Sequence, residues 1–198
     1  MKPIQQVMLA SGNVGKLKEF NDAFVDLGIE LVPQPKTSEY EVDETGTTFV
    51  ENAIIKARHA SQLSGLPSLA DDSGLIVPAL NGEPGVYSAR YAGLPSDASK
   101  NLNLLLKNME GINNRDAYFF CCLVYMRHHQ DPDPLIAKGI WPGSITTAAS
   151  GSNGFGYDPI FYVHDHQCTA AELPAEIKKA ISHRGQAITA LKPQIAGL

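Results

Sequence analysis

Cysteine is scarce in this chain of 198 residues, which contains Cys121, Cys122 and Cys168. Adjacent cysteines rarely bridge each other, and none of the three has a spacing typical of metal ligands, so the pattern argues against a disulfide framework or a zinc site. Cys121 and Cys122 lie in an apolar run, which favours packing over chemistry. We therefore predict reduced thiols in a reducing compartment.

Long apolar runs and an excess of basic charge are also missing. No segment reaches the length that a membrane span requires, and the N-terminal residues do not form a signal peptide pattern. The net charge is -5, which gives no electrostatic reason to expect nucleic acid as a partner. We predict a cytoplasmic protein that binds neither membranes nor nucleic acids. Its length and 43% hydrophobic content suit one globular domain or a bilobed unit.

Apolar periodicity predicts helices that alternate with strands, followed by a strand pair. The predicted strands cover residues 5–10, 29–32, 67–70, 75–77, 117–127, 135–141 and 160–163. The predicted helices cover residues 15–27 and 48–64 and a segment capped by Asp97. A further helical region begins with the cap at residues 169–172, is interrupted near residues 182–185 and resumes to about Leu191. The tail after Leu191 is expected to fray. This order predicts an α/β protein with a mixed sheet flanked by helices.

The first strand runs into a turn that contains two glycines and a lysine and that opens the first helix. The turn consists of Ser11, Gly12, Asn13, Val14, Gly15 and Lys16. Glycines let the backbone approach an anion, helix N–H groups point towards it, and lysine adds positive charge. The spacing is not that of the Walker motif, and a plain strand-to-helix turn is an equally good interpretation.

Two carboxylates, Asp71 and Asp72, stand side by side before Ser73 and Gly74, at the predicted end of a buried strand. Side chains alternate across a strand, so one carboxylate is expected to face a cleft and the other to make structural hydrogen bonds. Carboxylate oxygens are the ligands that Mg²⁺ prefers. An Asx-turn in which both aspartates cap a chain reversal is the alternative.

Two glutamates lie close to the start of the helix at residue 48. Glu51 completes a capping box with Thr48 and suits the helix dipole, so a structural role is the favoured interpretation. Glu44 lies in the preceding polar loop and has no such explanation, although exposed loop glutamates are common. Glu44 is therefore a weaker candidate for a metal ligand.

Two later motifs carry aromatic and basic side chains. The segment Gly154–Phe155–Gly156–Tyr157–Asp158–Pro159 places two aromatic rings that could stack on a nucleobase beside an acid, although a glycine-rich hairpin with a core aromatic is as plausible. The segment Ser182–His183–Arg184–Gly185 carries donors suited to purine acceptors, and Lys178 precedes it by about one helical turn. A solvated helix end is the alternative, and we prefer it for Lys179.

Together these segments closely resemble the inosine triphosphate pyrophosphatase family, the house-cleaning nucleotidases for non-standard purine triphosphates. The resemblance spans nearly the whole chain, and the motifs follow the order of the family. The matching segments are Ser11–Gly12–Asn13 with Lys16, Glu44–Thr45–Gly46 with Glu51–Asn52–Ala53, Ala70–Asp71–Asp72–Ser73–Gly74–Leu75, residues 84–91, Gly154–Phe155–Gly156–Tyr157–Asp158–Pro159, and Ser182–His183–Arg184–Gly185.

The resemblance implies a long, curved mixed sheet whose two lobes enclose an active-site cleft, in a single bilobed domain over residues 1–198 that forms a homodimer. It also implies hydrolysis of inosine, deoxyinosine and xanthosine triphosphates to the monophosphate and pyrophosphate, with Mg²⁺ as cofactor. The purine nucleoside triphosphate would be its small-molecule partner, as the substrate.

By matching position, the resemblance also assigns the site residues. Ser11, Gly12, Asn13, Val14, Gly15 and Lys16 would hold the triphosphate. Glu44 and Asp72 would bind the metal, and Asp72 would be the base that activates water. The other positions that contact substrate in the family are Ser73, Phe155, Gly156, Tyr157, Asp158, Lys178, His183 and Arg184.

Three other functions compete with this hypothesis. A nucleotide sensor would keep the pocket without efficient chemistry, but Glu44 and Asp72 are both present. A pyrophosphatase for pyrimidine triphosphates is disfavoured by Phe155 and by the His183–Arg184 pair. A single-stranded nucleic-acid binder is least favoured, because no basic track accompanies the aromatic residues.

Overall fold

The computed structural model describes residues 4–198. The prediction that the N-terminus is not a signal peptide concerns a segment whose first three residues lie outside this range. Its strands are β1 (Gln5–Leu9), β2 (Ile29–Pro33), β3 (Ser68–Ile76), β4 (Asp116–Met126), β5 (Leu135–Ile145), β6 (Phe161–Val163) and β7 (Cys168–Thr169). Its α-helices are α1 (Val14–Phe24), α2 (Phe49–Ser64), α3 (Ala98–Asn108), α4 (Ala175–Ile181) and α5 (His183–Ala196). Within residues 4–198, no helix is both long and apolar enough to cross a bilayer.

The strands form one sheet in the order β2-β1-β3-β4-β5-β6-β7. Strand β1 pairs in parallel with β2 and β3, whereas β6 pairs antiparallel with β5 and β7. The predicted α/β fold with a mixed sheet flanked by helices is therefore confirmed. The cleft and the single bilobed domain stay predictions.

The chain divides into two compact units, each with its own apolar core. The first unit comprises residues 1–72, 121–139 and 187–198, and large buried side chains such as Leu9, Phe20, Phe24 and Tyr125 form its core. The second unit comprises residues 73–120 and 140–186, and its core contains Phe119, Trp141, Phe161 and Leu105. Cys121 and Cys122 are both buried, in agreement with the predicted packing role.

Local capping signals were reliable guides to the helix boundaries. Gly28 adopts a φ of 71° after the first helical segment, in the left-handed region that favours glycine. Thr48 and Glu51 form the predicted capping box at the start of α2, and Asp97 caps α3 through the backbone N–H of Lys100. These ends are set by side chains within a few residues, so the sequence alone predicts them.

Strand β3 differs from the prediction in a way that matters for the site. It is continuous from Ser68 to Ile76, so Asp71 and Asp72 lie in the middle of a strand. The expected strand end and the alternative Asx-turn are both wrong. Glycine and aspartate are poor strand formers, but β3 lies between β1 and β4 in the sheet, with β1 paired at Ser68 and Leu69, and this sheet pairing outweighs the local preference.

The C-terminal region also departs from the prediction. Residues 169–172 form a capped turn, in which Glu172 accepts a hydrogen bond from the Thr169 N–H, but α4 begins only at Ala175 because Pro174 intervenes. Helix α5 continues to Ala196, beyond the predicted end at Leu191. The tail does not fray, because Ile195 is buried in the core of the first unit.

Candidate active site

The ammonium group of Lys56 contacts three oxygen atoms in the first unit. Its Nζ lies 2.6 Å from Oδ1 of Asp72, 3.0 Å from Oε1 of Glu44 and 2.9 Å from the carbonyl oxygen of Asp71. Helix α2 supplies the lysine, β3 supplies the aspartate, and the loop before α2 supplies the glutamate. We call Glu44, Lys56 and Asp72 the Lys56 cluster. It brings together both of the predicted metal ligands around one positive charge.

Burial and charge act against each other within this cluster. Burial raises the pKa of Asp72 to about 6, although the neighbouring Lys56 opposes the shift, and Glu44 and Asp71 add to it. Burial alone would lower the pKa of Lys56, but the two carboxylates outweigh that effect and leave it raised. At neutral pH, Lys56 is therefore charged and Asp72 is an ionised base whose pKa lies close to the operating range of a general base.

The shifted pKa of Asp72 predicts a pH dependence of turnover. The carboxylate can accept a proton only when it is ionised, and its pKa is raised to about 6. We expect kcat/KM to be flat above this pH and to fall as the pH drops below it. Because Mg²⁺ and protons compete for a carboxylate, a higher Mg²⁺ concentration should move the acid limb to lower pH. A profile that stays flat down to pH about 4, near the ordinary pKa of aspartate, would contradict the assignment.

The loop that carries Glu44 is tied to the start of α2. The N–H of Gly46 donates to Oδ1 of Asn52 at 2.8 Å, and a side chain on Gly46 would collide with Glu51 and Asn52. The carboxylate of Glu51 accepts from the backbone N–H groups of Thr47 and Thr48. Glu51 therefore has the structural role that we favoured. Gly46 and Asn52 hold the loop that carries Glu44 against the start of α2.

Asp71 has different partners from Asp72, as the alternation of side chains along a strand predicts. Its buried carboxylate lies 3.3 Å from Nζ of Lys16, and the thiol of Cys121 lies 3.8 Å from its Oδ1. Asp71 thus takes the structural role and orients a lysine of the predicted phosphate turn. The sequence indicated that the two aspartates would differ, but not which lysine each would contact.

The predicted phosphate turn is an exposed helix start. Asn13 caps α1, since its Oδ1 accepts from the N–H of Lys16 at 3.1 Å, and Oγ of Ser11 accepts from the N–H of Asn13 at 3.2 Å. Gly12 is half-buried, whereas Val14 and Gly15 are exposed in the first turn. A helix N-terminus with a lysine held by Asp71 is suited to an anion, which agrees with the predicted role.

The Lys56 cluster has the chemistry that a magnesium site needs. Glu44 and Asp72 offer carboxylate oxygens, and both already contact one cationic group in the structure. Within residues 4–198 there is no group of three or more histidine, cysteine or acidic side chains that could hold a metal. Mg²⁺ commonly binds through one or two carboxylates while it keeps water and substrate phosphate as ligands, so this donor set fits Mg²⁺.

A second group of predicted residues lies together in the second unit. Oδ2 of Asp158 lies 2.5 Å from Nζ of Lys178 and accepts from the N–H of Phe155 at 2.7 Å. The same Nζ lies 4.9 Å from the ring centroid of Phe155, whose side chain is 67% exposed. We call Phe155, Asp158 and Lys178 the Lys178 cluster. It offers an aromatic face to solvent, and Lys178 contacts both of the other members.

Glycine makes the Lys178 cluster possible. Gly154 has a φ of 78°, and a side chain there would collide with Asp158 and crowd Lys178. The other predicted residues nearby are placed differently. Tyr157 is buried and its hydroxyl donates to the carbonyl of Ser88, whereas Ser73 is half-buried on β3 and Gly156 lies in the loop. Their contacts with a substrate stay predictions.

His183 and Arg184 begin α5 directly after α4 ends. Ser182 is extended, with φ -65° and ψ 160°, and its Oγ accepts from the N–H of Gly185 at 3.2 Å. A side chain on Gly185 would overlap the carbonyl oxygen of Lys179, so only glycine permits this close approach of the two helices. His183 and Arg184 are both buried, so the interpretation as a solvated helix end is wrong.

Lys56 is the residue that sequence reasoning missed. The buried residues of α2 are Phe49, Asn52, Ala53, Ala57, Ala60 and Ser61. Lys56 lies three residues after Ala53 and four before Ala60, so it shares their face. A lysine on the alanine face of a helix is a signal that could have identified it.

Comparison with known proteins finds relatives that match nearly the whole chain. Residues 7–194 match the profile of the Ham1 family. A dITP/XTP pyrophosphatase of Vibrio cholerae is 53% identical over 190 residues, which cover 95% of this chain and 95% of that protein. A dITP/XTP pyrophosphatase of Escherichia coli K12 is 52% identical over 190 residues, which cover 95% and 96% respectively. The solved structure of a HAM1 protein from Coxiella burnetii matches with a TM-score of 0.93 and 48% identity, over 98% of this chain and 100% of that one.

This chain belongs to the Ham1 family. The match spans both compact units and includes all of the predicted site residues, from Ser11 to Arg184. The family and the class of enzyme predicted from the motifs, a nucleoside triphosphate pyrophosphatase, are therefore confirmed.

Proposed function

We propose that this protein hydrolyses inosine, deoxyinosine and xanthosine triphosphates to the nucleoside monophosphate and pyrophosphate, with Mg²⁺, and so removes deaminated purines from the nucleotide pool. The observation that carries the proposal is the Lys56 cluster, in which a base with a pKa of about 6 lies beside a second carboxylate and a half-buried cation. The substrates named for its relatives in Vibrio cholerae and Escherichia coli, dITP and XTP, support the choice of non-standard purines.

In this reaction, water attacks the α-phosphorus and displaces pyrophosphate, so that the anhydride bond between the α- and β-phosphates is broken. Asp72 accepts a proton from this water, whose oxygen bonds to phosphorus while the anhydride bond breaks and pyrophosphate leaves. Lys56 keeps Asp72 ionised, and Lys16, Asn13 and the α1 N-terminus bind the phosphates. Glu44 and Asp72 would hold Mg²⁺, which supplies positive charge against the negative charge of the transferred group.

The choice of base is assigned to the second unit. The exposed ring of Phe155 stacks on the purine, which contributes about 1–3 kcal/mol per base in proteins where it has been measured. His183 and Arg184 donate to the 6-keto group of hypoxanthine or xanthine. Adenine presents an amino group at the same position, so a donor would face a donor and the base would be rejected.

A substrate panel with and without Mg²⁺ tests this function. We expect rapid pyrophosphate release from inosine, deoxyinosine and xanthosine triphosphates, slow release from adenosine triphosphate and pyrimidine triphosphates, and none in excess chelator. The preference should exceed ~10²-fold, because the site would leave buried donors unpaired against adenine. Undiminished turnover in chelator would remove the metal from the mechanism, and tight binding without pyrophosphate release would indicate a sensor.

We also propose that the protein is a homodimer. The chain has a mass of 21.3 kDa, so sedimentation equilibrium should give about twice this value at micromolar concentration. A mass equal to that of one chain at the concentration used for assays would contradict the dimer. The cytoplasmic location stays a prediction from the sequence.

A further inference from the structure

The imidazole of His183 lies flat against an aromatic side chain in the second unit. The ring centroids of Phe119 and His183 are 4.9 Å apart, and the two planes differ by 14°. The ring of Trp141 is also nearly parallel to the imidazole, at 6.4 Å and 15°. Strand β4 supplies Phe119 and strand β5 supplies Trp141. The imidazole therefore has aromatic neighbours that define its plane.

Phe119 is itself held in place by its surroundings. Its ring centroid lies 4.6 Å from that of Phe161, at an angle of 51°, and 6.1 Å from that of Trp141. All three side chains are buried in the same core. Buried aromatic rings packed on several sides keep one orientation, so Phe119 offers a fixed surface to the histidine.

A fixed surface matters more for histidine than for an aliphatic side chain. The second side-chain torsion of histidine is broad, so the backbone of α5 does not determine the plane of the ring. Both ring nitrogens donate or accept within that plane, and hydrogen bonds weaken steeply when the donor is misaligned. The neighbour stacked on the face of the imidazole therefore restrains the plane in which its N–H groups lie.

We propose that Phe119 is a positioning residue that holds the His183 ring in the plane required to read the 6-position of the purine. The inference rests on the proposed function, in which His183 contacts that position. The inference goes beyond the proposed function because Phe119 lies outside every motif that identified the site. Phe119 would act on base selection through His183, without touching the substrate itself.

The test compares Phe119→Leu and Phe119→Met with a matched control, Phe24→Leu. Phe24 is a fully buried phenylalanine in the core of the first unit, stacked on Phe20 at 6.4 Å, so its truncation also removes a core ring. In both Phe119 variants, we expect kcat/KM for inosine triphosphate to fall about three- to tenfold, with little change for adenosine triphosphate, as for one weakened hydrogen bond. In Phe24→Leu the ratio between the two substrates should stay at the wild-type value.

Nuclear magnetic resonance supplies a readout that does not depend on activity. A ring stacked at 4.9 Å shifts the His183 carbon-bound protons upfield, and both Phe119 substitutions should remove most of that shift while Phe24→Leu preserves it. An unchanged substrate ratio in variants that have lost the shift would overturn the proposal. An equal fall of the ratio in Phe24→Leu would also overturn it, because general loosening of the fold would then explain the effect. If the wild-type enzyme shows the upfield shift of His183 but does not prefer inosine triphosphate over adenosine triphosphate, the proposed function is contradicted. The role of Phe119 in specificity would then be contradicted as well.

Discussion

Replacement of Asp72 by asparagine is expected to lower kcat for inosine triphosphate by about 10³-fold while the protein stays folded. The amide has nearly the same shape as the carboxylate but cannot accept a proton from water. Burial already makes the charged carboxylate the costly form, which is why the pKa of Asp72 is raised to about 6, so a neutral group at this position is tolerated. Pyrophosphate release at saturating substrate and Mg²⁺ measures the effect.

The control for this variant is Asp165→Asn, which removes an exposed carboxylate in the second unit. It should retain wild-type turnover, and thermal unfolding of both variants should lie close to that of the wild type. If Asp72→Asn hydrolyses inosine triphosphate at the wild-type rate, Asp72 is not the base. If it has lost its cooperative unfolding transition, the loss of turnover reflects folding, and the pH dependence of the wild type becomes the deciding measurement.

Replacement of Lys56 by methionine is expected to have the second largest effect. Methionine has a similar length but no charge, so Asp72 and Glu44 would face each other without the cation that joins them. Like charges raise the pKa of a carboxylate, so the pKa of Asp72 should move further above 6 and the base should be largely protonated at neutral pH. We expect kcat at pH 7 to fall about 10²-fold and to recover partly at higher pH.

The shift of the pH profile distinguishes loss of charge from loss of packing. In Lys56→Met the acid limb of kcat/KM should move to higher pH, whereas a variant that was merely misfolded would lose activity equally at all pH values. The matched control is Lys138→Met, which removes an exposed lysine from β5. It should leave both the rate and the acid limb in place. An acid limb that does not move in Lys56→Met would show that Lys56 does not maintain the ionisation of Asp72.

Features that depend on neighbours along the chain could be predicted from the sequence. The capping box of Thr48 and Glu51, the cap at Asp97 and the left-handed Gly28 all formed as expected, because their partners lie within a few residues. The glycine turn before α1 and the general order of helices and strands were also predictable. For the site, the family resemblance paired Glu44 with Asp72, and the capping box separated the structural role of Glu51 from the role predicted for Glu44.

Features that depend on distant partners could not be predicted in the same way. Strand β3 runs through Asp71 and Asp72 because neighbouring strands pair with it, although its local residues favour a turn. Helix α5 extends to Ala196 because Ile195 is buried in a core that other segments also form. In both cases tertiary contacts outweigh a local preference, which is below about 1 kcal/mol for most residues but about 3 kcal/mol for the proline inside α5, Pro193.

The sequence by itself determined which chemical groups are present: a glycine-containing turn with a lysine, two carboxylates of the kind that Mg²⁺ prefers, and side chains that can donate to a purine. The tertiary structure decided which groups act on one another. Lys56 contacts Asp72, which lies 16 residues further along the chain, and Asp71 pairs with Lys16. The ring of His183 stacks on that of Phe119. The physical reason is that a buried charge or ring takes its properties from whatever packs against it, and that neighbour is chosen by strand pairing and helix packing rather than by spacing along the chain.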